Sequence, residues 1–156
     1  MLQRVQSVYL FLVFLFAVLF AVLPLGHFPV GSPDMPLRLI SMHDFFASID
    51  GTGIGWMGAL LILFWAIAIL ITVYMTFQYR KRLFQIKLGK MNIMVHAVMI
   101  LITFFFLDSI RNQLDDTGFS YGAAVFFPVI SLIFILLANK AIRKDEELVR
   151  SADRLR

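Results

Sequence analysis

The segment Ile54-Gly55-Trp56-Met57-Gly58-Ala59-Leu60-Leu61-Ile62-Leu63-Phe64-Trp65-Ala66-Ile67-Ala68-Ile69-Leu70-Ile71-Thr72-Val73-Tyr74-Met75-Thr76-Phe77 contains no charged side chain. A helix of about 20 apolar residues crosses the roughly 30 Å hydrocarbon core of a bilayer, so this stretch is long enough to be a membrane span by itself. Its ends carry the aromatic residues that favour membrane–water interfaces, Trp56 at one and Tyr74 and Tyr79 at the other. Three more apolar runs accompany it: Val8 to Leu25, Met91 to Leu107 and Tyr121 to Asn139. Of the 156 residues, 60% are hydrophobic and 15% charged, with a mean hydropathy of +0.85. A soluble domain is about half apolar and a quarter charged, so lipid is the expected main solvent. The expected fold class is an all-α integral membrane protein, a four-transmembrane-helix bundle with spans at about 8–25, 54–77, 91–107 and 121–139.

The first run follows Arg4 and so resembles a signal peptide, but it reaches spanning length and no small-x-small cleavage site follows it. Pro24-Leu25-Gly26 ends the helix instead, and the run reads as an uncleaved span. Residues 26–53 form the one substantial loop, in which Pro29, Pro33 and Pro36 exclude a continuous helix through Pro36. Beyond Pro36, Leu39, Met42, Phe46 and Ile49 recur at helical spacing and suggest a short amphipathic surface helix; a short strand from Leu37 is the alternative. The third span ends at Asp108, and Pro128 inside the fourth is expected to kink it. The chain divides into a membrane domain at 1–139 and a charged helical tail at 140–156.

The net charge of +4 has a topological meaning, because the basic residues are segregated. Arg4 precedes span one; Arg80, Lys81, Arg82, Lys87 and Lys90 join spans two and three; Lys140, Arg143, Lys144, Arg150, Arg154 and Arg156 follow span four. That places 12 of the 14 cations on one side, leaving Arg38 and Arg111 on the other with Asp34, Asp44, Asp50, Asp115 and Asp116. By the positive-inside rule both termini are cytoplasmic and the 26–53 loop faces outward. An inverted-repeat transporter is disfavoured, since the first connection is much longer than the second and the spans do not align.

The start Met1-Leu2-Gln3-Arg4-Val5-Gln6-Ser7-Val8-Tyr9-Leu10 and the finish from Leu137 through Ala141-Ile142-Arg143-Lys144-Asp145-Glu146-Glu147-Leu148-Val149-Arg150 to Arg156 resemble the ends of a domain-of-unknown-function family. That family comprises small four-span inner-membrane proteins of Bacteroidota. The resemblance implies a bacterial inner membrane and a four-helix topology, and it implies no activity.

The absence of cysteine excludes disulfide exchange, thiolate nucleophiles and thiolate-held clusters. Asn92, His96, Met99 and Thr103 share one face of span three, a polar seam in an apolar helix. An ionisable residue in a span invites a proton relay or a hydrogen bond to a quinone, although a neutral His96 that fixes packing is the simpler explanation. Haem ligation by two histidines lacks a second embedded His, since His27 and His43 fall in the outer loop. Those two, with Asp34, Asp44 and Asp50, lack zinc-ligand spacing, so no metal site and no cofactor are expected. Asp116-Thr117-Gly118 matches the aspartic-protease tripeptide by chance, and the glycines of 51–55 lack the Lys-Ser or Lys-Thr of a phosphate-binding loop. Ala17 with Ala21, and Gly55 with Ala59, are candidates for close helix contacts.

Two cytoplasmic segments carry most of the cations. Residues 79–90 read as a tight hairpin whose Arg80, Lys81, Arg82, Lys87 and Lys90 contact anionic lipid, without nucleic-acid binding. In the tail, Ile142, Leu148, Val149, Ala152 and Leu155 form an apolar stripe beside Arg143, Glu146, Glu147 and Arg150, with helix pairs from Glu146 and Glu147 to Arg150. This tail is the candidate docking surface for another inner-membrane protein or for the chain's own cytoplasmic loop. The expectation is a non-catalytic accessory or assembly subunit. The alternatives are a small oligomeric transporter or channel lined by Asn92, His96 and Thr103, and a membrane enzyme or quinone-linked subunit using His96.

Overall fold

The computed structural model describes residues 2–28, 38–40, 55–78, 81–113 and 120–154. Helices α1 (Leu2–Val22), α2 (Gly55–Phe77), α3 (Arg82–Gln113) and α4 (Phe127–Arg154) are each long and apolar enough to cross a membrane. Each packs against its neighbour in sequence, and α1 closes the ring by lying along α4. The α1–α4 contact is the most extensive and is filled by aromatic pairs, with Phe16 stacked on Phe134 at 5.7 Å and also touching Phe127 at 5.6 Å.

The buried positions recur in steps of three and four residues, or of seven, on every helix. On α1 they are Gln6, Leu10, Val13, Ala17 and Phe20; on α2, Gly58, Leu61, Ala68, Thr72 and Met75; on α4, Ala138 and Ile142 continue from Pro128, Ser131 and Ile135. On α3 the line is Gln85, Gly89, Asn92, His96, Met99, Thr103 and Phe106. A repeat averaging 3.5 residues is the seam of helices that cross at a shallow angle with side chains interdigitated. The opposite faces expose large apolar groups, among them Phe11, Leu70, Met94, Leu101 and Phe105. Apolar surface on that scale needs lipid to cover it.

Several expectations change. Pro128 does not kink the middle of a span, because it lies in the first turn of α4, where its missing N–H removes no interior bond. A 3-10 turn over Ala123–Phe126 precedes it, and the Ala124 carbonyl, which the proline cannot serve, accepts from the Phe127 N–H. The hairpin expected at 79–90 is replaced in large part by helix: α3 begins at Arg82, so Arg82 to Lys90 are helical. The reason is visible in Gln85 and Leu88, which join the buried seam and carry the helix pattern back to the turn. Ala59 is exposed, and Gly58 takes the buried place expected of it.

The molecule is not purely helical. Strands β1 (Gly26–Phe28), β2 (Arg38–Ile40) and β3 (Ser120–Tyr121) form a three-stranded antiparallel sheet in the order β2-β1-β3 at the end of the bundle opposite the termini. The strand alternative therefore holds at Arg38–Ile40, while Met42, Phe46 and Ile49 of the expected surface helix lie outside the described residues. The sheet ties the connection after α1 to the one before α4, and the Gly122 N–H adds a bond to the Leu25 carbonyl at 2.9 Å. A side chain at Gly122 would collide with the Pro24 carbonyl, so this close backbone approach requires glycine.

Candidate functional site: the polar seam and the end that carries the termini

The seam read from span three is real and faces inward. Asn92, His96 and Thr103 are all almost fully buried. Asn92 donates from Nδ2 to Thr72 Oγ1 on α2 at 2.9 Å, and Thr72 passes the chain on by donating to the Ala68 carbonyl at 2.8 Å. His96 Nδ1 lies 2.9 Å from the Asn92 carbonyl. A carbonyl only accepts, so Nδ1 is the nitrogen that carries the proton. Thr103 Oγ1 donates to the Met99 carbonyl at 2.7 Å. These are bonds to the same helix or to the next one, the way hydroxyl and amide groups are satisfied where water is absent. Asn92 Oδ1 is the exception, buried without a partner.

Sequence reasoning missed the part of this seam nearest the termini. Gln6 on α1 donates from Nε2 to Gln85 Oε1 at 2.8 Å, and Gln85 Nε2 donates to the Met75 carbonyl on α2 at 3.0 Å. One buried glutamine thus joins three helices. The signal was available, since Gln85 lies seven residues before Asn92 and shares its face, but it was hidden in a segment that reads as a hairpin.

Beside it, Arg82 reaches the tail: its Nη2 is 3.2 Å from Asp145 Oδ2, and Nη1 donates to the Asp145 carbonyl at 3.5 Å. Arg82 is therefore engaged with α4 and is not free for lipid as expected, whereas Lys81, Lys87 and Lys90 are exposed. Arg80 lies outside the described residues. The pair sits at the end where α1 begins, α2 turns into α3 and α4 leaves the bundle, so both termini are at one end.

The expected helical tail is present as an unbroken continuation of α4, but its apolar stripe divides. Ile142 is buried in the bundle, while Leu148 is 50% exposed and Val149 42% exposed. Arg143, Glu147 and Arg150 are exposed and Glu146 is half-buried. Among the described residues neither Glu146 nor Glu147 pairs with Arg150; the ion pair that forms is Arg82–Asp145. Leu155 lies outside the described residues. His27 falls in β1, and His43, Asp34, Asp44 and Asp50 are outside the described residues as well, as is the 116–118 tripeptide. Among the described residues no three His, Asp or Glu side chains converge as metal ligands.

The fold and the seam define a class: a multi-pass membrane protein built as a four-helix bundle, with an internally bonded polar core and a helical tail. The chain belongs to the family described as Domain of unknown function (DUF4293), whose model matches residues 2–155. No curated protein and no solved structure matches it.

Proposed function

We propose that this protein is a non-catalytic accessory or assembly subunit of a larger complex in a bacterial inner membrane, and that it docks through the projecting end of α4. The observation that carries the reading is the mismatch between seam and bundle. The stripe that is buried as Ser131, Ile135, Ala138 and Ile142 continues seven residues on to Val149, which is exposed beside Leu148. A helix that leaves its bundle with the core stripe uncovered is suited to another helix laid along it. The neighbouring Glu147 and Arg150 supply charges of both signs for register.

The polar seam supports the same reading over transport or quinone chemistry. Apart from Asn92 Oδ1, the bonds formed by Asn92, His96 and Thr103 run to a neighbouring hydroxyl or to backbone carbonyls, an arrangement suited to packing. Orientation with both termini cytoplasmic rests on the 12 of 14 cations at the end that carries them. A reporter fused after Arg156 and active only on the outer side would overturn it.

The test compares the tagged chain with Leu148→Glu/Val149→Glu after gentle detergent extraction from its own membrane. A stoichiometric partner held by the native chain and lost from the inserted, helical variant is the expected result. Retention of that partner by the variant, or a native chain that purifies solely as a homo-oligomer, refutes docking through the tail.

A further inference from the structure

Between α3 and α4, near the end that carries the termini, lies a cleft of about 260 Å³. Its walls are Lys90, Lys140 and Arg143 together with Ile86, Ile93, Leu136 and Asn139. No acidic side chain lines it, and among the described residues none of its three cations has an ion-pair partner. The volume is several times the roughly 30 Å³ share of a water molecule in the liquid, so it has room for a compact polar group.

Beside the cleft the two helices approach closely. Gly89 has no side chain, and the Asn139 amide occupies the space a Cβ would need. Asn139 Oδ1 is buried without a hydrogen-bond partner. Three cations with no ion-pair partner among the described residues, around one opening, form a receptor for an anion.

The charges occupy one end of the cleft, and the surface that continues from it is apolar. Seven residues from Lys90 and Ile93 along α3 come Ala97 and Ile100, and seven back from Lys140 and Leu136 along α4 come Ile133 and Val129. Ala97, Ile133 and Val129 are exposed. Because the helices are antiparallel, the seven-residue spacing carries these positions along the same side of the α3–α4 contact, so the furrow that continues from the cleft is apolar. The occupant must therefore be negative at one end and hydrocarbon at the other.

We propose that this cleft is a binding site for an anionic phospholipid, whose phosphate sits among Lys90, Lys140 and Arg143 and whose acyl chain lies along Ile93, Leu136 and the furrow. Free phosphate satisfies the cations alone, whereas a phospholipid also covers the apolar wall. The guanidinium of Arg143 matches two phosphate oxygens at once, and the flexible ammonium groups of Lys90 and Lys140 supply point charge from either helix. The site is distinct from the tail's docking face, since Arg143 lies on the cleft and Val149 on the core stripe.

The experiment reconstitutes the full chain into phosphatidylcholine vesicles containing spin-labelled phosphatidylglycerol or spin-labelled phosphatidylcholine. It reads the relative association of the immobilised label with protein. The native chain is expected to select phosphatidylglycerol, and Lys90→Gln/Lys140→Gln/Arg143→Gln to lose that selectivity by about fivefold per cation at most. Lys81→Gln/Lys87→Gln/Lys144→Gln removes the same charge outside the cleft and is expected to keep most of it. Lys90→Arg/Lys140→Arg keeps both the charge and the Arg143 guanidinium and is expected to retain selectivity, which separates loss of binding from loss of fold. Equal losses in the two glutamine variants would reveal diffuse surface attraction and overturn the site. Displacement of the label by millimolar inorganic phosphate would assign it to a soluble anion and overturn the lipid.

Discussion

Replacing Gln85 by leucine tests whether the end of the bundle that carries the termini is held by one amide. Gln85 accepts from Gln6 at 2.8 Å and donates to the Met75 carbonyl at 3.0 Å, and both glutamines are buried. Interhelical hydrogen bonds in membrane proteins average about 0.6 kcal/mol and reach about 1.7 kcal/mol. Two such bonds therefore contribute about 1 kcal/mol, and stranding the buried Gln6 amide raises the cost to about 1–3 kcal/mol. Leucine does not recover this, because its burial between helices gains little when the alternative is lipid. The assay is reversible unfolding in mixed micelles by added denaturing detergent, followed by circular dichroism. In the double variant Gln6→Leu/Gln85→Leu no amide is stranded. The expected cost is consequently below the sum of the single variants by about 0.6–1.7 kcal/mol. Costs that add to within about 0.3 kcal/mol, or a Gln85→Leu variant as stable as the native chain, would refute the idea that this contact joins the helices.

Two other outcomes are expected at the same end of the molecule. Gly89→Ala should destabilise the bundle by about 1–3 kcal/mol through the clash with the Asn139 amide, and Asn139→Ala in the same chain should restore most of the loss in the same unfolding assay. Asp145→Ala should change global stability by about 1 kcal/mol or less, since Arg82 and Asp145 are only partly buried, while hydrogen exchange over residues 143–154 becomes faster as the tail loses its tether; unchanged exchange would show that the ion pair does not hold it.

These contacts show why some features were legible in the sequence and others were not. The inward face of Asn92, His96 and Thr103 could be read because helical geometry alone brings residues three and four apart to one side. Gln85 belongs to that face, yet the cations around it make the segment look like a surface turn. Long basic side chains can reach the interface from a helix that continues beneath them, so charge located the membrane boundary and concealed the helix. Pro128 departs from its expected role for a similar reason: apolarity marks where a chain can enter lipid, while the first turn of the helix is set by hydrogen bonding. The tail's helical extension is legible in the sequence, but its pairing is not, because Glu146, Glu147 and Arg150 satisfy the local spacing rule while Asp145 instead meets Arg82 from another helix.

By itself the sequence determined four helices of spanning length, the segregation of charge and the helical character of the tail, since apolar length and helical period are properties of contiguous residues. The tertiary structure alone decided the three-stranded sheet, the three-helix contact at Gln85, the Arg82–Asp145 tether and the cleft between α3 and α4. Each of these depends on residues far apart in the chain meeting at one point, and that is fixed by how helices close into a ring and by the few places, such as Gly89 and Gly122, where a missing side chain lets backbones approach.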